Sequence, residues 1–111
     1  RVPNFFTLLP KFKIKKRNIW CVDPKSKKYN RFADKPFPGA YELLCRPDSL
    51  YDIFIVLDYN LNPVIKYKGS AIFIHCSEKS KIYTEGCIAL KKKELLNLLS
   101  ALTPMSKIII C

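Results

Sequence analysis

The stretch from residue 70 to residue 90, SAIFIHCSEKSKIYTEGCIAL, decides the fold of this chain. It opens with an apolar run, residues 71–75, whose side chains favour a buried β-strand. The run ends at the single histidine, His75, and a cysteine, Cys87, follows Gly86 twelve positions later. We therefore expect a strand that brings the imidazole to the rim of the core, and then a tight turn that carries the thiol.

A histidine and a cysteine in this arrangement are typical of nucleophilic chemistry. A thiol is a strong nucleophile only as its thiolate, and imidazole is the commonest group that removes a proton near neutral pH. Cys87 is thus the predicted nucleophile and His75 the predicted base. The alternatives are an inert thiol in a β-rich core and a hydrogen-bonded core imidazole. A metal site built from His75, Cys76 and Cys87 is disfavoured, because tetrahedral zinc needs more ligands at closer spacing.

The flanking sequence predicts short strands and one helix. Residues 51–59 are rich in aromatic and β-branched side chains and predict a buried central strand. Residues 93–102 carry leucines at helical spacing and predict an amphipathic helix, which Pro104 ends. Further strands are predicted at 11–17, 18–22 and 107–111. The Pro-bearing segment 31–48 is expected to be largely irregular or in edge strand.

Strands that precede one helix without βαβ alternation predict a mostly β fold. We expect a small antiparallel β-sandwich or open barrel with one main amphipathic helix near the C-terminus. The 111 residues have room for one domain, residues 1–111. Because the chain starts with Arg1 rather than Met, we expect it to lack its native N-terminus. No apolar run approaches the roughly 20 residues of a transmembrane segment.

The formal net charge of +11 attracts anionic partners. Nucleic acid, an anionic cell-wall polymer and an acidic membrane surface all qualify. The basic residues are mostly lysines in short runs, such as 11–17 and 91–93, and a solvated surface is the simplest interpretation of such runs. They are spread over the whole chain and no recognition motif of a nucleic-acid-binding fold accompanies them.

The five cysteines form an odd set without a CxxC pair. This pattern argues against a structural zinc site and against a fully paired disulfide framework. At least one thiol should be free or paired with another molecule. Cys21, Cys45 and Cys111 have apolar neighbours and are expected to be small buried hydrophobic residues. Trp20 and Tyr51 are expected in the core rather than in a substrate platform.

Together with His75, the run 84–90 (TEGCIAL) resembles the signature of the L,D-transpeptidase catalytic domain, the YkuD family. In that family a histidine is followed by Ser/Thr-x-Gly-Cys and an apolar residue. The preceding strand and the following amphipathic helix agree with the resemblance. Upstream, Trp20, Asp23-Pro24, Tyr29-Asn30 and Tyr51-Asp52 are similar to a compact proteobacterial branch of the same family.

The resemblance implies a two-step acyl transfer on peptidoglycan stem peptides. Cys87 would attack the carbonyl between a diamino acid and a terminal D-alanine, and an amine of a second stem peptide would resolve the thioester into a cross-link. His75 would act as general base and then pass its proton to the leaving amine. Gly86 would let main-chain N–H groups face the oxyanion, and the Thr84 hydroxyl would orient the turn. Glu85 would belong to the same turn, either helping to orient it or pointing outward.

Three positions and the length of one interval differ from the common family pattern. Glu85 stands where many members carry histidine, and a carboxylate there raises the thiol pKa unless it points away or pairs with a lysine. Ala89 replaces Arg or Asn, and Cys76 follows His75 where Gly or Ser is common. The interval between histidine and cysteine is short, so a substrate-covering loop is expected to be trimmed. The resemblance also assigns Ser70 and Ala89 to substrate binding.

The resemblance implies a cysteine acyltransferase of the periplasm or cell envelope. Its partners would be a donor and an amine-bearing acceptor stem peptide, with no cofactor, no metal and no nucleic acid. Carboxypeptidase or hydrolase activity stays open, since water can resolve the same thioester. One alternative is a non-catalytic or weakly hydrolytic cell-wall-binding domain, suggested by Glu85 and Ala89. Another is a basic nucleic-acid-binding module, suggested only by charge and aromatic content.

Overall fold

The computed structural model describes residues 4–48, 50–77 and 86–109. In these ranges the chain forms six short strands followed by one helix. The strands are β1 (Asn18–Cys21), β2 (Phe32–Asp34), β3 (Tyr41–Leu43), β4 (Phe54–Val56), β5 (Phe73–Cys76) and β6 (Ile88–Leu90), and the helix is α1 (Lys92–Ala101). The predicted mostly β fold with a helix near the C-terminus is therefore confirmed.

The strands form two three-stranded sheets. In the first sheet, β1 lies between β2 and β3 and is antiparallel to both. In the second sheet, β5 lies between β4 and β6, antiparallel to β4 but parallel to β6. No closed barrel is formed by the described strands. The expected antiparallel pairing is found in three of their four strand pairs, and the β5–β6 pair is parallel.

Side chains alternate between the two faces of a sheet, and both faces of the second sheet carry apolar side chains. Phe73 faces an aromatic core, whose buried members are Trp20, Leu44, Leu50, Tyr51, Ala71 and Phe73. Ile74 and Cys76 face a helix-side core, completed by Ile53, Leu95 and Leu99. The helix therefore covers one face of the second sheet, and the first sheet contributes Trp20 to the other.

The predicted elements are confirmed in part. The strand predicted at 18–22 corresponds to β1, the helix predicted at 93–102 to α1, and segment 31–48 supplies the edge strands β2 and β3. The strand predicted at 51–59 shrinks to β4, which is an edge strand rather than a central one.

Two further strand predictions are wrong within the described residues. Residues 11–17 form no strand, because Ile14 packs against the aromatic core while the backbone N–H of Lys15 donates to the side chain of Asn18. Residues 107–109 form no strand either, and Ile109 is 84% exposed.

The predictions for the cysteines are confirmed only in part. Cys21 is buried as expected, but Cys45 is exposed, so its assignment as a buried hydrophobic residue is wrong. Its neighbour Leu44 occupies the core position instead, at 1% exposure. Cys111 lies outside the described residues. Trp20 and Tyr51 are both core residues, as predicted.

Candidate active site

The predicted nucleophile and base lie on one face of the second sheet. In the parallel β5–β6 register, Ile74 pairs with Ile88 and His75 with Ala89, so Cys87 comes one residue before the start of β6, beside Phe73. Side chains two residues apart share a face, which places His75 and Cys87 on the face of Phe73. With standard strand rise and spacing, their Cα atoms are diagonal neighbours about 8 Å apart.

The Cys87 thiol is held by the backbone of the neighbouring strand. Its S–H donates to the carbonyl of Ala71 at 3.2 Å, and its sulfur accepts the N–H of Phe73 at 3.4 Å. Gly86 precedes it with φ of +89°, a conformation that glycine adopts without strain. A Cβ at Gly86 would also meet the Ile72 Cδ1 atom at 3.3 Å. The backbone therefore fixes the direction of the half-buried sulfur.

The environment keeps this thiol protonated. Burial raises the pKa of Cys87 above its ordinary value of 9.0, the hydrogen bond from Phe73 opposes this, and the negative charge of Glu42 adds to the rise. Because the raised pKa belongs to the folded state, the thiol favours folding at lower pH and this contribution is lost as pH rises through that pKa. Near neutral pH the sulfur would therefore become a thiolate only if a neighbouring group accepted its proton.

The imidazole of His75 lies on the same face, with its tautomer set by the backbone. Its ring is buried at 5% exposure, and Nδ1 lies 2.8 Å from the carbonyl oxygen of Cys76. A carbonyl can only accept a hydrogen bond, so Nδ1 carries the proton and the lone pair resides on Nε2. The backbone carbonyl therefore selects the tautomer of His75 that can take a proton.

Tyr51 connects the imidazole with an acidic side chain. Its ring lies edge-on to that of His75, with centroids 5.6 Å apart, and its hydroxyl donates to Oε2 of Glu42 at 3.4 Å. Burial is the largest of the effects that raise the pKa of Tyr51, and the negative charges of Glu42 and Cys87 raise it further. The Tyr51 hydroxyl therefore stays neutral. Arg46 stacks over the outer face, 5.4 Å from the ring centroid. Tyr51 is thus both a core residue and a wall of the site.

An Asn30-centred network supports the residue that accepts the thiol hydrogen. The Oδ1 atom of buried Asn30 accepts both the indole N–H of Trp20, at 2.9 Å, and the backbone N–H of Ala71, at 3.0 Å. Its amide donates to the carbonyl of Asn60 at 2.7 Å. Ala71, at φ of +55°, is thereby held with its carbonyl toward Cys87. Asn30 therefore links Trp20 of the first sheet, through Ala71, to the thiol of Cys87.

We expect Asn30→Ala to lower the free energy of unfolding by about 2–4 kcal/mol, because it leaves the Trp20 and Ala71 N–H groups buried without their acceptor. Position 30 also has φ of +55°, which asparagine tolerates better than alanine. Urea denaturation measures the loss. Asn97→Ala, on the exposed helix face, is the control and should change stability by less than about 0.5 kcal/mol. Equal small effects of the two changes would contradict the network's role.

We expect Glu42→Gln to lower the pKa of Cys87, because it removes a negative charge that disfavours the thiolate. The variant thiol should then react faster with iodoacetamide at any pH below its pKa. Peptide mass spectrometry across a pH series gives the midpoint for Cys87 alone. Glu94→Gln on the exposed part of α1 is the control and should leave the midpoint in place. A midpoint that stays or rises in Glu42→Gln would show that the carboxylate does not act on the sulfur.

Of the remaining predicted site residues, the structure describes Ala89 and Ser70. Ala89 is half-buried on β6 and is the register partner of His75, so it lies on the same face. Ser70 is half-buried and precedes Ala71 without belonging to a strand. Thr84 and Glu85 lie outside the described residues.

Sequence reasoning missed Glu42, Arg46 and Asn30 as parts of the site. No motif spacing connects residues this far from Cys87 along the chain. The Tyr29-Asn30 and Tyr51-Asp52 pairs, already noted as similar to one branch of the family, were the available signal for Asn30 and for Tyr51 as a wall of the site. In the described part of the chain, no three His, Cys, Asp or Glu side chains are grouped as metal ligands.

Fold and site together define a mostly β domain with a backbone-held thiol and a buried imidazole on one sheet face. Comparison with protein-family models matches residues 2–110 to YkuD, the L,D-transpeptidase catalytic domain. The chain therefore belongs to the YkuD family of L,D-transpeptidase catalytic domains. No curated protein and no solved structure matched the chain. None of the described helical segments is long and apolar enough to cross a membrane.

Proposed function

We propose that this protein is a cysteine acyltransferase that acts on peptidoglycan stem peptides in the cell envelope. The family supports the class of reaction, since its members act on peptidoglycan peptides. One observation carries the proposal for this chain: His75 on β5 and Cys87, just before the parallel strand β6, lie on the same face of the sheet. The Nδ1 proton of His75 is donated to a backbone carbonyl, which leaves Nε2 able to accept a proton.

The first half-reaction forms a thioester. Nε2 of His75 takes the proton from the Cys87 thiol, and the thiolate attacks the carbonyl carbon of the stem peptide's scissile amide. The C–N bond then breaks, and the imidazolium of His75 returns its proton to the leaving amine. The acyl group is now bound to Cys87 as a thioester, and D-alanine is released.

The second half-reaction regenerates the enzyme. The amine of an acceptor stem peptide attacks the thioester carbonyl while Nε2 of His75 removes one of its protons. The C–S bond breaks, and the sulfur of Cys87 recovers its proton from the imidazolium. The product is a cross-linked peptide. Water in place of the amine gives the shortened, free stem peptide.

Product analysis with a soluble muropeptide tetrapeptide tests this proposal. Incubation with a second muropeptide as amine donor should yield D-alanine and a cross-linked dimer in equal amounts, measured by liquid chromatography and mass spectrometry. Accumulation of the tripeptide without a dimer would assign the protein as a hydrolase that uses the same thioester. Absence of D-alanine release from the folded wild-type protein would contradict the proposed activity.

A further inference from the structure

An open groove of about 570 Å³ lies on the first sheet, apart from the thiol. Its volume falls in the range of pockets that bind small ligands or short polymer segments. Four of its lining side chains are cationic, namely Lys13, Lys15, Arg17 and Lys28, and three are phenylalanines, namely Phe12, Phe32 and Phe37. We call this feature the basic groove.

Three cations of the basic groove have no acidic partner among the described residues. Asp34 is the carboxylate that lines the groove, and it is occupied by Arg17, 3.3 Å away, and by the side-chain amide of Asn18 at 2.8 Å. Lys13, Lys15 and Lys28 are exposed and form no ion pair within the described part of the chain. The groove therefore presents a net positive charge to any ligand that enters it.

The segment that carries Lys13 and Lys15 is fixed on the fold. Ile14, between them, packs against the aromatic core, and the backbone N–H of Lys15 donates to the Asn18 side chain at 2.7 Å. Phe12 lies edge-on against Phe32, with centroids 5.1 Å apart. The lysines consequently project from an anchored wall.

The groove adjoins the aromatic core on which the candidate active site is built. Aromatic rings form a continuous series from Phe32 to Trp20, at 6.4 Å, and from Trp20 to Phe73, at 5.1 Å. Phe73 in turn donates its backbone N–H to the sulfur of Cys87. A ligand in the basic groove would thus contact the aromatic packing that continues to Cys87.

We propose that the basic groove binds carboxylate-bearing peptidoglycan away from the scissile bond and so holds the polymer on the enzyme. This inference rests on the proposed function. Lysines would pair with stem-peptide carboxylates, and the phenylalanine rings would contact apolar side chains and the C–H faces of sugars. Binding energy from parts of the polymer that do not react can hold the scissile bond in place at the reacting sulfur.

The shape and charge of the groove favour this occupant. An open groove of this size has room for a polymer segment, whereas binding to a membrane surface typically uses the apolar face of an amphipathic helix, and no residue of α1 lines this groove. Its lining also combines cations with phenylalanine rings, and a wall polymer offers both carboxylates and apolar surface. Attraction between exposed lysines and carboxylates should weaken as salt increases.

Retention on purified, insoluble sacculi tests the proposal with the full chain carrying Cys87→Ala, which prevents turnover. Addition of Lys13→Glu and Lys15→Glu should weaken retention about tenfold, and more salt should weaken retention of the parent. The matched control adds Lys91→Glu and Lys93→Glu, which change the net charge equally at exposed positions beside and in the first turn of α1. This control should lose less than about twofold.

Equal losses of sacculus retention in the two double variants, or no loss in either, would overturn the proposal. Retention on double-stranded DNA or anionic vesicles that depends on the groove lysines, without retention on sacculi, would overturn it as well. The same lysine changes in the Cys87 protein should leave formation of a carbapenem adduct unchanged, because the groove is apart from the sulfur. If the Cys87 parent forms no adduct, the proposed function fails, while sacculus retention still decides the groove.

Discussion

Cys87→Ala should abolish D-alanine release from a stem tetrapeptide, with a loss on the order of 10⁴-fold or more, because the variant has no atom that can form the thioester. Cys87→Ser should be nearly as inactive, since a hydroxyl is far less acidic than a thiol that already has a raised pKa. Steady-state assays by liquid chromatography measure the rates.

Cys45→Ala is the matched control for this change. Cys45 is an exposed thiol in the described structure and is no part of the core or of the site. Its loss should leave the rate within about twofold, as is usual for surface changes. If Cys45→Ala were inactive and Cys87→Ala active, the nucleophile would be misassigned.

His75→Ala should lower the rate of acyl transfer about 10²–10⁴-fold at neutral pH, the usual contribution of a general base. The defect should become smaller as pH rises toward the pKa of Cys87, because hydroxide then forms the thiolate without the imidazole. A pH series of the acylation rate in both proteins measures this convergence.

His75→Asn separates proton transfer from packing. Its amide can still donate to the carbonyl of Cys76, as Nδ1 of His75 does at 2.8 Å, but it cannot take a proton from the thiol. This variant should be as slow as His75→Ala. Activity close to wild type in His75→Asn would show that position 75 holds the strand rather than moving protons.

The sequence allowed prediction of elements with strong local patterns. The leucine spacing of α1 and the apolar character of β1 and β5 reflect burial of a face, and each was placed within two or three residues. The assignment of Cys87 and His75 as the chemical pair rests on a short motif and stays a prediction. The local sequence pattern predicts a helix or strand well where one face of the element packs against the core and the other faces solvent.

Other features depend on contacts that sequence spacing does not reveal. The parallel pairing of β5 and β6 is a relation between whole strands, and it decides that His75 and Cys87 share a face. Alternation at residues 11–17 indicated a strand, yet the half-buried Ile14 packs against the core there without sheet pairing. Glu42 and Asn30 reach the site through tertiary packing, and their distance from Cys87 along the chain does not predict this.

The central claim is that the sulfur of Cys87 is an accessible nucleophile activated by His75. Intact-mass spectrometry of the wild-type protein with a carbapenem, followed by peptide mapping, tests it most directly. We predict one added carbapenem mass, located on Cys87, absent in Cys87→Ala and strongly slowed in His75→Ala. A protein with a free Cys87 thiol that gains no adduct, or an adduct that persists in Cys87→Ala, would contradict the account.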